Sequence, residues 1–468
     1  MILEHSSPLP KFTRLRTSLI IIYAWFSIVS LKIVQAYPIP FFFIFLKDKG
    51  LETTIGLGVT SLGLFAQLVG PYFAQSSPRW KALPLWVRNF ICILITFICN
   101  TPMCVLDYIT NNVLQYTLIA LTRSIVGLVT GILFVESFGE VLERFITNKS
   151  AVAPILSSAI PISFTIATIT GANSYSYGGW TLAAPGISAF LLLPIALLPV
   201  ISASEKLRPV PPQLTQDTQN TNCLENLTLP QKVALYLPDM VVFCNAYTTI
   251  TLGYNVIYRA TEFAGWSIED AAMISSMVFV VGFIASLICS VLSQKLGGRT
   301  IFPFIFFLLT CFYGGIIMTY GSTTPYMSRS LLIPGSIITG AGTAAHMALT
   351  VPSQFVLCSA WGVPTVGLSE LGARWFNVMV SLPGIPATFL AGLPRTRAAE
   401  IPFMGVVGAV YSLSLGCYVV CWVMSRKKIG TTGHRYKTQA GGDTLLKKDD
   451  KNSFLKNDSE RCTGSTQI

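Results

Sequence analysis

The chain alternates long apolar stretches with short polar connections, and twelve apolar stretches can be distinguished. A bilayer core about 30 Å thick needs about 20 apolar residues per helix, and most of the stretches reach that length. The pattern therefore predicts an all-α, polytopic membrane protein with 12 transmembrane helices. We place the stretches at 17–46, 54–76, 86–106, 112–137, 151–172, 178–202, 233–258, 268–293, 300–320, 330–352, 362–393 and 402–425.

One polar segment divides the apolar stretches into two sets of six, and it is too polar to cross a membrane. A polar, Lys- and Gly-rich C-terminal segment without apolar periodicity indicates disorder. The predicted organisation is a cytoplasmic N-terminus at 1–16, an N-terminal six-helix bundle at 17–202, a cytoplasmic linker at 203–232, a C-terminal six-helix bundle at 233–425 and a disordered cytoplasmic tail at 426–468.

Composition supports a membrane protein. The chain is 52% hydrophobic and 11% charged, whereas soluble domains are about 25% charged, and its mean hydropathy is +0.60. The net charge of +11 does not indicate a nucleic-acid partner, because no basic stripe with interleaved aromatic residues is present. Instead, about three Lys and Arg residues fall in inner-side segments for each one outside, which by the positive-inside rule places both termini in the cytoplasm. The pattern does not decide between the plasma membrane and a vesicle or endomembrane.

The sequence contains no pattern that predicts a cofactor, a metal or catalysis. Cys, His and carboxylate residues show no metal-ligand spacing, and no phosphate-binding Gly-x-x-x-x-Gly-Lys-Ser/Thr loop is present. A Ser-His-Asp set is also missing. We therefore predict a protein that is not an enzyme, needs no cofactor and is not driven directly by ATP.

The two predicted bundles repeat each other. The segment from Arg123 through Gly127 to Gly131 in the fourth stretch aligns with 336–344 in the tenth, and Tyr37 and Tyr254 occupy corresponding places at the ends of the first and seventh. A same-orientation repeat of six-helix units is typical of two-lobed membrane carriers.

Some of these residues resemble a known family. Arg123 followed by Gly127 and Gly131 resembles the Arg-plus-glycine motif of helix 4 in major facilitator proton antiporters, and 177–185 is similar to the segment joining helices 5 and 6 in the vesicular amine and polyamine transporter branch. The resemblance implies the major facilitator fold, with two six-helix pseudo-repeats in a monomer. It also implies a secondary active carrier of a small organic solute, an organic cation or amine first, with proton antiport as one coupling mode.

Ionisable residues inside the apolar stretches are the main candidates for solute or ion binding. A charge at mid-membrane costs at least about 2.5–3.5 kcal/mol and usually faces the bundle interior. Lys32 either binds an anionic group or extends its amine to the membrane surface, and Arg123 either responds to protonation changes or forms a structural ion pair. Glu370 and Arg374 are spaced i, i+4, and they either neutralise each other as an ion pair or form a proton-coupled carboxylate held by an arginine. His346 is either a proton relay or a neutral packing residue.

Further candidates lie near the helix ends. Tyr37 and Tyr254 could contact a cationic solute or act as interfacial anchors. Glu136 and Glu140 lie at the inner end of the fourth helix. They are gating candidates together with Arg299, or else they simply form a solvated end of that helix. Asp239 is expected to cap the start of the seventh helix.

Three interpretations of function stay open at this stage. The first is the carrier of an organic cation or amine. The second is a carrier of an anionic metabolite, because Lys32 is the only charged residue in the first apolar stretch, 17–46. The third is a transport-inactive receptor or scaffold, because Gln294 stands where the family has an acid in its inner loop.

Overall fold

The computed structural model describes residues 11–144, 149–206, 227–262, 264–296, 301–323, 328–363 and 368–391, together with 416, 419 and 423. Within these ranges the chain is helical and contains no strand. The α-helices are α1 (Lys11–Ala36), α2 (Phe42–Asp48), α3 (Thr53–Ser76), α4 (Pro78–Lys81), α5 (Leu85–Asn100), α6 (Asn112–Arg144), α7 (Lys149–Ser157), α8 (Ala159–Ser188), α9 (Leu192–Lys206), α10 (Leu229–Glu262), α11 (Ile268–Leu296), α12 (Ile301–Thr323), α13 (Arg329–Ala360), α14 (Leu368–Ser381) and α15 (Gly384–Ala391). We call 11–206 the N half and 227–391 the C half.

Seven helical stretches among the described residues are long and apolar enough to cross a membrane. The longest has 51 residues, which at 1.5 Å per residue is long enough for two crossings. These stretches are consistent with the predicted multi-pass membrane protein. They are Ser18–Ala36, Thr53–Ser76, Leu85–Tyr108, Asn112–Leu142, Val152–Ser202, Ile268–Leu296 and Arg329–Ala360.

The remaining apolar stretches of the sequence have different outcomes. The stretches 233–258 and 300–320 lie within α10 and α12, which are not among the seven spans found in the described residues; α12 contains a shorter apolar helix, Pro303–Met318. The stretch 362–393 is divided between α14 and α15, because Pro383 and Pro386 cannot donate helical hydrogen bonds. The stretch 402–425 and the tail at 426–468 lie outside the described residues, apart from 416, 419 and 423.

The first predicted stretch, 17–46, is not one helix. α1 ends at Ala36, the chain turns, and α2 begins at Phe42. Pro38 and Pro40 cause the break, since proline lacks an N–H and disfavours helical backbone at the residue before it. The turn is buried: Tyr37 and Phe41 have no exposed surface. Tyr37 is therefore a core residue rather than the interfacial anchor that the sequence left open.

The predicted break between the fifth and sixth stretches occurs at two glycines inside α8. Gly178 and Gly179 have non-helical dihedral angles, and Gly179 has a φ of 57°, a conformation that non-glycine residues rarely adopt. The Asp107 carboxylate lies against this break and accepts a hydrogen bond from the Thr181 N–H at 3.1 Å. An acid at the first turn of the resumed helix satisfies a free backbone donor there.

Glycines allow the closest helix crossings in both halves. In the N half, Gly127 of α6 lies against Gly63 of α3, where an added Cβ would be 1.9 Å from the Gly63 carbonyl oxygen. In the C half, Gly340 of α13 lies against Val278 of α11, where an added Cβ would be 2.1 Å from the Val278 carbonyl oxygen. Small residues permit such backbone approach in membrane helices, so each half is held by a tight pair of helices.

The two halves pack against each other through two sets of helices. α7 and α8 of the N half contact α11, while α3 and α6 contact α14 and α15. Aromatic rings fill both contacts. Phe164 stacks on Phe279 with centroids 5.1 Å apart, and Phe138 stacks on Phe376 at 5.9 Å. The main apolar core extends from the N half into the C half, where it includes Phe376 and Met379.

Candidate functional site

A chain of hydrogen bonds links the one lysine of α1's apolar region to the C half. Lys32 is 4% exposed, and its Nζ donates to Gln35 Oε1 at 2.9 Å. Gln35 Nε2 in turn donates to Gln67 Oε1 on α3. Gln67 Nε2 then donates to Asn377 Oδ1 on α14 at 2.8 Å, and Asn377 Nδ2 returns a bond to the Gln67 carbonyl oxygen at 3.2 Å. A single buried network thus joins α1, α3 and α14.

Arg123 caps the end of α1 from the side. Its Nη1 donates to the Val34 carbonyl oxygen at 3.1 Å, and its Nη2 donates to the Gln35 carbonyl oxygen. The carbonyl of residue 34 would normally accept from the N–H of residue 38, but that residue is Pro38 and has none. A cation at a helix C-terminus also interacts favourably with the helix dipole. These contacts give Arg123 a positioning role: they fix the orientation of the segment that carries Lys32.

The network lines a cavity of roughly 70 Å³ between the halves. Its polar wall comes from α1, α3 and α6 of the N half, and α10, α14 and α15 contribute from the C half. Among the described residues that line it, Lys32 and Arg123 are the charged ones and no carboxylate is present. The described lining consists of Lys32, Gln35, Ala36, Pro38, Ile39, Phe42, Thr60, Gly63, Leu64, Gln67, Arg123, Ile160, Phe164, Ile250, Val380, Ser381 and Thr388.

A second, apolar cavity of roughly 80 Å³ adjoins the first. The two share Ile39, Ile160, Phe164, Ile250 and Val380 in their walls. The second cavity extends between α8 and α11 towards α13. Together they form a site with one polar, cationic end and one apolar end, lined by both halves of the chain.

Glu136 and Glu140 form an ion-pair cluster inside the N half. Arg88 of α5 contacts Glu136 at 3.2 Å and Glu140 at 2.6 Å, and the Trp80 indole donates to Glu136 at 2.6 Å. The Glu136 side chain is 9% exposed, so it is not a solvated helix end. The cluster ties α4, α5 and α6 of the N half together. Arg299, predicted to act with these acids, lies outside the described residues.

His346 lies in the C half and outside both cavity walls. It is fully buried, packs against Phe304 with the rings tilted and their centroids 4.4 Å apart, and has Nδ1 3.0 Å from Asn245 Nδ2 on α10. Since that amide nitrogen is a donor, Nδ1 is the acceptor and the proton is on Nε2. Nε2 has no hydrogen-bond partner within the described part of the chain. His346 is therefore part of the α10–α13 contact rather than of the cavity.

The other candidates from the sequence are not among the described residues that line the cavities. Tyr37 donates its hydroxyl to Asn100 Oδ1 at 3.3 Å and packs edge-on against Trp180. Arg374 is half-buried on α14 and is not part of either described cavity wall. Tyr254 and Glu370 lie on helical backbone in α10 and α14, and their side chains lie outside the described part of the structure.

Sequence reasoning missed the amides and misjudged one acid. Gln35, Gln67 and Asn377 are neutral residues within apolar stretches, and a search for charges alone passes over them; a search for any amide inside a predicted span would have found them.

Asp239 was expected to cap a helix start. It lies ten residues into α10, fully buried, and accepts from Gln354 Nε2 at 2.9 Å. It cannot serve as a cap there, because the free N–H groups are confined to the first turn.

The comparisons with known proteins bring no identification. No protein-family model matches the chain, and no curated protein matches it. Its function must therefore be argued from the cavity and from the arrangement of the helices.

Proposed function

We propose that the chain is a secondary active carrier of the major facilitator type, in which two six-helix halves rock about the cavity between them. The supporting observation is that cavity, which has a buried cation in its wall and residues of both halves around it. A solute held there would contact both halves. Movement of one half against the other would then expose the solute to each side of the membrane in turn.

The helix pairings support a two-fold relation between the halves. The glycine crossing of α3 with α6 corresponds to that of α11 with α13. The contacts between halves also correspond, since α8 packs on α11 as α3 packs on α15. In the predicted order of twelve helices these are the second, fifth, eighth and eleventh. This arrangement agrees with the internal repeat predicted from the sequence.

The charge of the cavity favours a solute with an anionic group. An organic cation bound there would meet Lys32 and Arg123 without a described carboxylate in the wall. At an effective dielectric constant of 20, two like charges 4 Å apart repel by about 4 kcal/mol, and an anion gains a similar attraction. The adjoining apolar cavity accommodates a hydrocarbon portion. We therefore place a small amphiphilic anion ahead of the amine that the family resemblance implies.

Lys32 is the residue that we assign to the anionic group. In the described part of the structure its ammonium makes one side-chain hydrogen bond, to Gln35, out of the three that it can donate. Arg123 is committed to the carbonyls of Val34 and Gln35. A bound anion would accept hydrogen bonds from the remaining donors of Lys32. A shift of the Lys32 ammonium towards the anion would alter its hydrogen bond to Gln35, and so the bonds from Gln35 to Gln67 and from Gln67 to Asn377 in the other half.

Solute-induced stabilisation of the purified protein tests this assignment. The panel pairs small carboxylates and organic phosphates with amines of the same carbon skeleton, and hits are then followed by counterflow in proteoliposomes. An anion should raise the thermal midpoint, and Lys32→Gln should weaken that effect at least tenfold. The matched control is Lys81→Gln, at an exposed lysine of α4, which should respond like the unmodified protein. Stabilisation and counterflow by amines alone would contradict the anion assignment, and binding without counterflow would identify a receptor instead.

A further inference from the structure

The contact between α10 and α13 contains a line of buried polar groups that the cavity does not use. We call Asp239 and Asn245 of α10, with His346, Ser353 and Gln354 of α13, the polar seam. All five are at most 2% exposed. On α13 the residues are seven and eight positions apart, which places them two turns apart on one helix face. Three seam atoms have no hydrogen-bond partner among the described residues: Asp239 Oδ1, Ser353 Oγ and His346 Nε2.

Asp239 is the acidic member of the seam. Its Oδ2 accepts one hydrogen bond from Gln354 Nε2, which also donates to the Leu235 carbonyl oxygen at 2.7 Å. No cation among the described residues pairs with either carboxylate oxygen. The titratable groups that face it are Tyr236 of its own helix and Cys358 of α13, neither of which carries a positive charge.

A bare carboxylate in this position would be strongly unfavourable. Burying an unpaired ion costs several kcal/mol even after relaxation, and one hydrogen bond from an amide returns about 1.5–3 kcal/mol. A proton on Oδ1 removes the charge and converts the unpartnered acceptor into an O–H group. On the other helices packed against α10, no described charged side chain, Arg374 of α14 included, forms an ion pair with Asp239 that would hold it ionised.

We propose that Asp239 is the proton-binding site of the carrier, protonated while α10 and α13 are packed together and ionised when water reaches the polar seam. This proposal rests on the proposed function, and it assigns proton coupling to α10 rather than to Glu370. The step is a simple equilibrium, in which the carboxylate takes one proton from water on one side of the membrane and returns it to water on the other. Because the solute cavity lies between the halves and Asp239 lies within the C half, the rocking movement connects the two sites.

Infrared spectroscopy of the purified protein tests the protonation directly. A protonated Asp239 gives a carboxylic C=O stretching band at neutral pH, and that band should be missing in Asp239→Asn, which is nearly isosteric and can still accept from Gln354. The matched control is Asp270→Asn, at an exposed acid of α11, which should leave the band intact. An identical band in Asp239→Asn and the unmodified protein would overturn the proposal.

A second variant applies if Asp239→Asn does not fold. Gln354→Met removes the one donor to the carboxylate, so the band should persist to a pH at least one unit higher than in the unmodified protein. A band with unchanged pH dependence would contradict the assignment.

Transport then separates this proposal from the proposed function. With a solute that exchanges, Asp239→Asn should keep exchange at equal pH and lose accumulation driven by a pH gradient. Gradient-driven accumulation that survives in Asp239→Asn, or that is missing from the unmodified protein, would refute the coupling role while leaving the carrier in place. Absence of any exchange would instead count against the carrier, and the infrared result would still decide whether Asp239 holds a proton.

Discussion

The crossing of α3 and α6 gives a prediction whose size follows from the structure. An added Cβ on Gly127 would lie 1.9 Å from the Gly63 carbonyl oxygen, whereas carbon and oxygen in close contact are about 3.3 Å apart. Gly127→Ala therefore forces the helices apart by roughly 1.4 Å. Overpacking typically costs about 1–3 kcal/mol, and each lost Cα–H···O contact costs a further 0.5–1 kcal/mol or so. We expect a loss of about 2–4 kcal/mol.

Thermal unfolding in detergent, followed by a thiol-reactive dye, measures the effect. The buried thiols of Cys92 and Cys289 report on the two halves. The matched control is Gly186→Ala in α8, where an added Cβ meets nothing within 4 Å. That change should be neutral or slightly stabilising, because alanine favours helix over glycine by about 1 kcal/mol.

The same substitution in the C half extends the test to the predicted repeat. A Cβ on Gly340 would lie 2.1 Å from the Val278 carbonyl oxygen, so Gly340→Ala should lower the midpoint by an amount similar to Gly127→Ala. If Gly127→Ala unfolds at the same temperature as Gly186→Ala, the close crossing is wrong. If only one of the two crossing variants is destabilised, the correspondence between the halves fails.

Three further predictions concern the contacts around the cavity. Gln67→Ala and Asn377→Ala should each weaken the closed arrangement of the halves. A double-mutant cycle of thermal stability should give a coupling of about 0.5–1.5 kcal/mol for the bond from Gln67 Nε2 to Asn377 Oδ1, the one that needs both side chains; additive effects would show that the amides do not interact. Arg123→Met should lower the thermal midpoint more than Arg123→Lys, since lysine can still donate to one of the two carbonyls, and equal losses would contradict the capping role. The hydrogen bond to Glu262 raises the pKa of the Lys47 ammonium above its ordinary value of 10.5. The stabilisation from this exposed pair, at most about 1 kcal/mol, is therefore complete below pH 10.5 and is lost as the pH rises through the pKa of the folded state. The stability of Lys47→Met and of the unmodified protein should converge at high pH, and a constant difference would refute this.

The helical framework was predictable because bilayer thickness sets a length that apolar stretches either meet or miss. The apolar pattern carries the first stretch past the end of α1, whereas Pro38 and Pro40 within it indicate the interruption. Both prolines stand within an apolar run, and hydropathy alone does not register a missing backbone donor. The break at Gly178 and Gly179 was easier to locate, since two adjacent glycines interrupt the run.

The candidate site was predictable in part. The cost of intramembrane charge pointed to Lys32 and Arg123, and both line the same cavity. The partners of Arg123 could not be foreseen, because they are backbone carbonyls of another helix, one of them freed by Pro38. Asp239 was misjudged because its distance from the helix start depends on where α10 begins, and helix boundaries are the least certain feature of a sequence pattern.

The strength of the contacts differs within and between the halves, and this difference bears on movement. Within each half, glycine crossings bring backbones together at distances that tolerate no added carbon, so these pairs move as units. Between the halves, the polar contacts described include the neutral amide pair of Gln67 and Asn377, a hydrogen bond between Ser176 and Glu269, and the exposed ion pair of Lys47 and Glu262, whose lysine side chain is 59% exposed. Neutral hydrogen bonds and exposed ion pairs each contribute about 1 kcal/mol, whereas separating a buried ion pair costs several. These polar contacts therefore add little to the free energy of separating the halves at the cavity, a separation that the proposed alternating access requires.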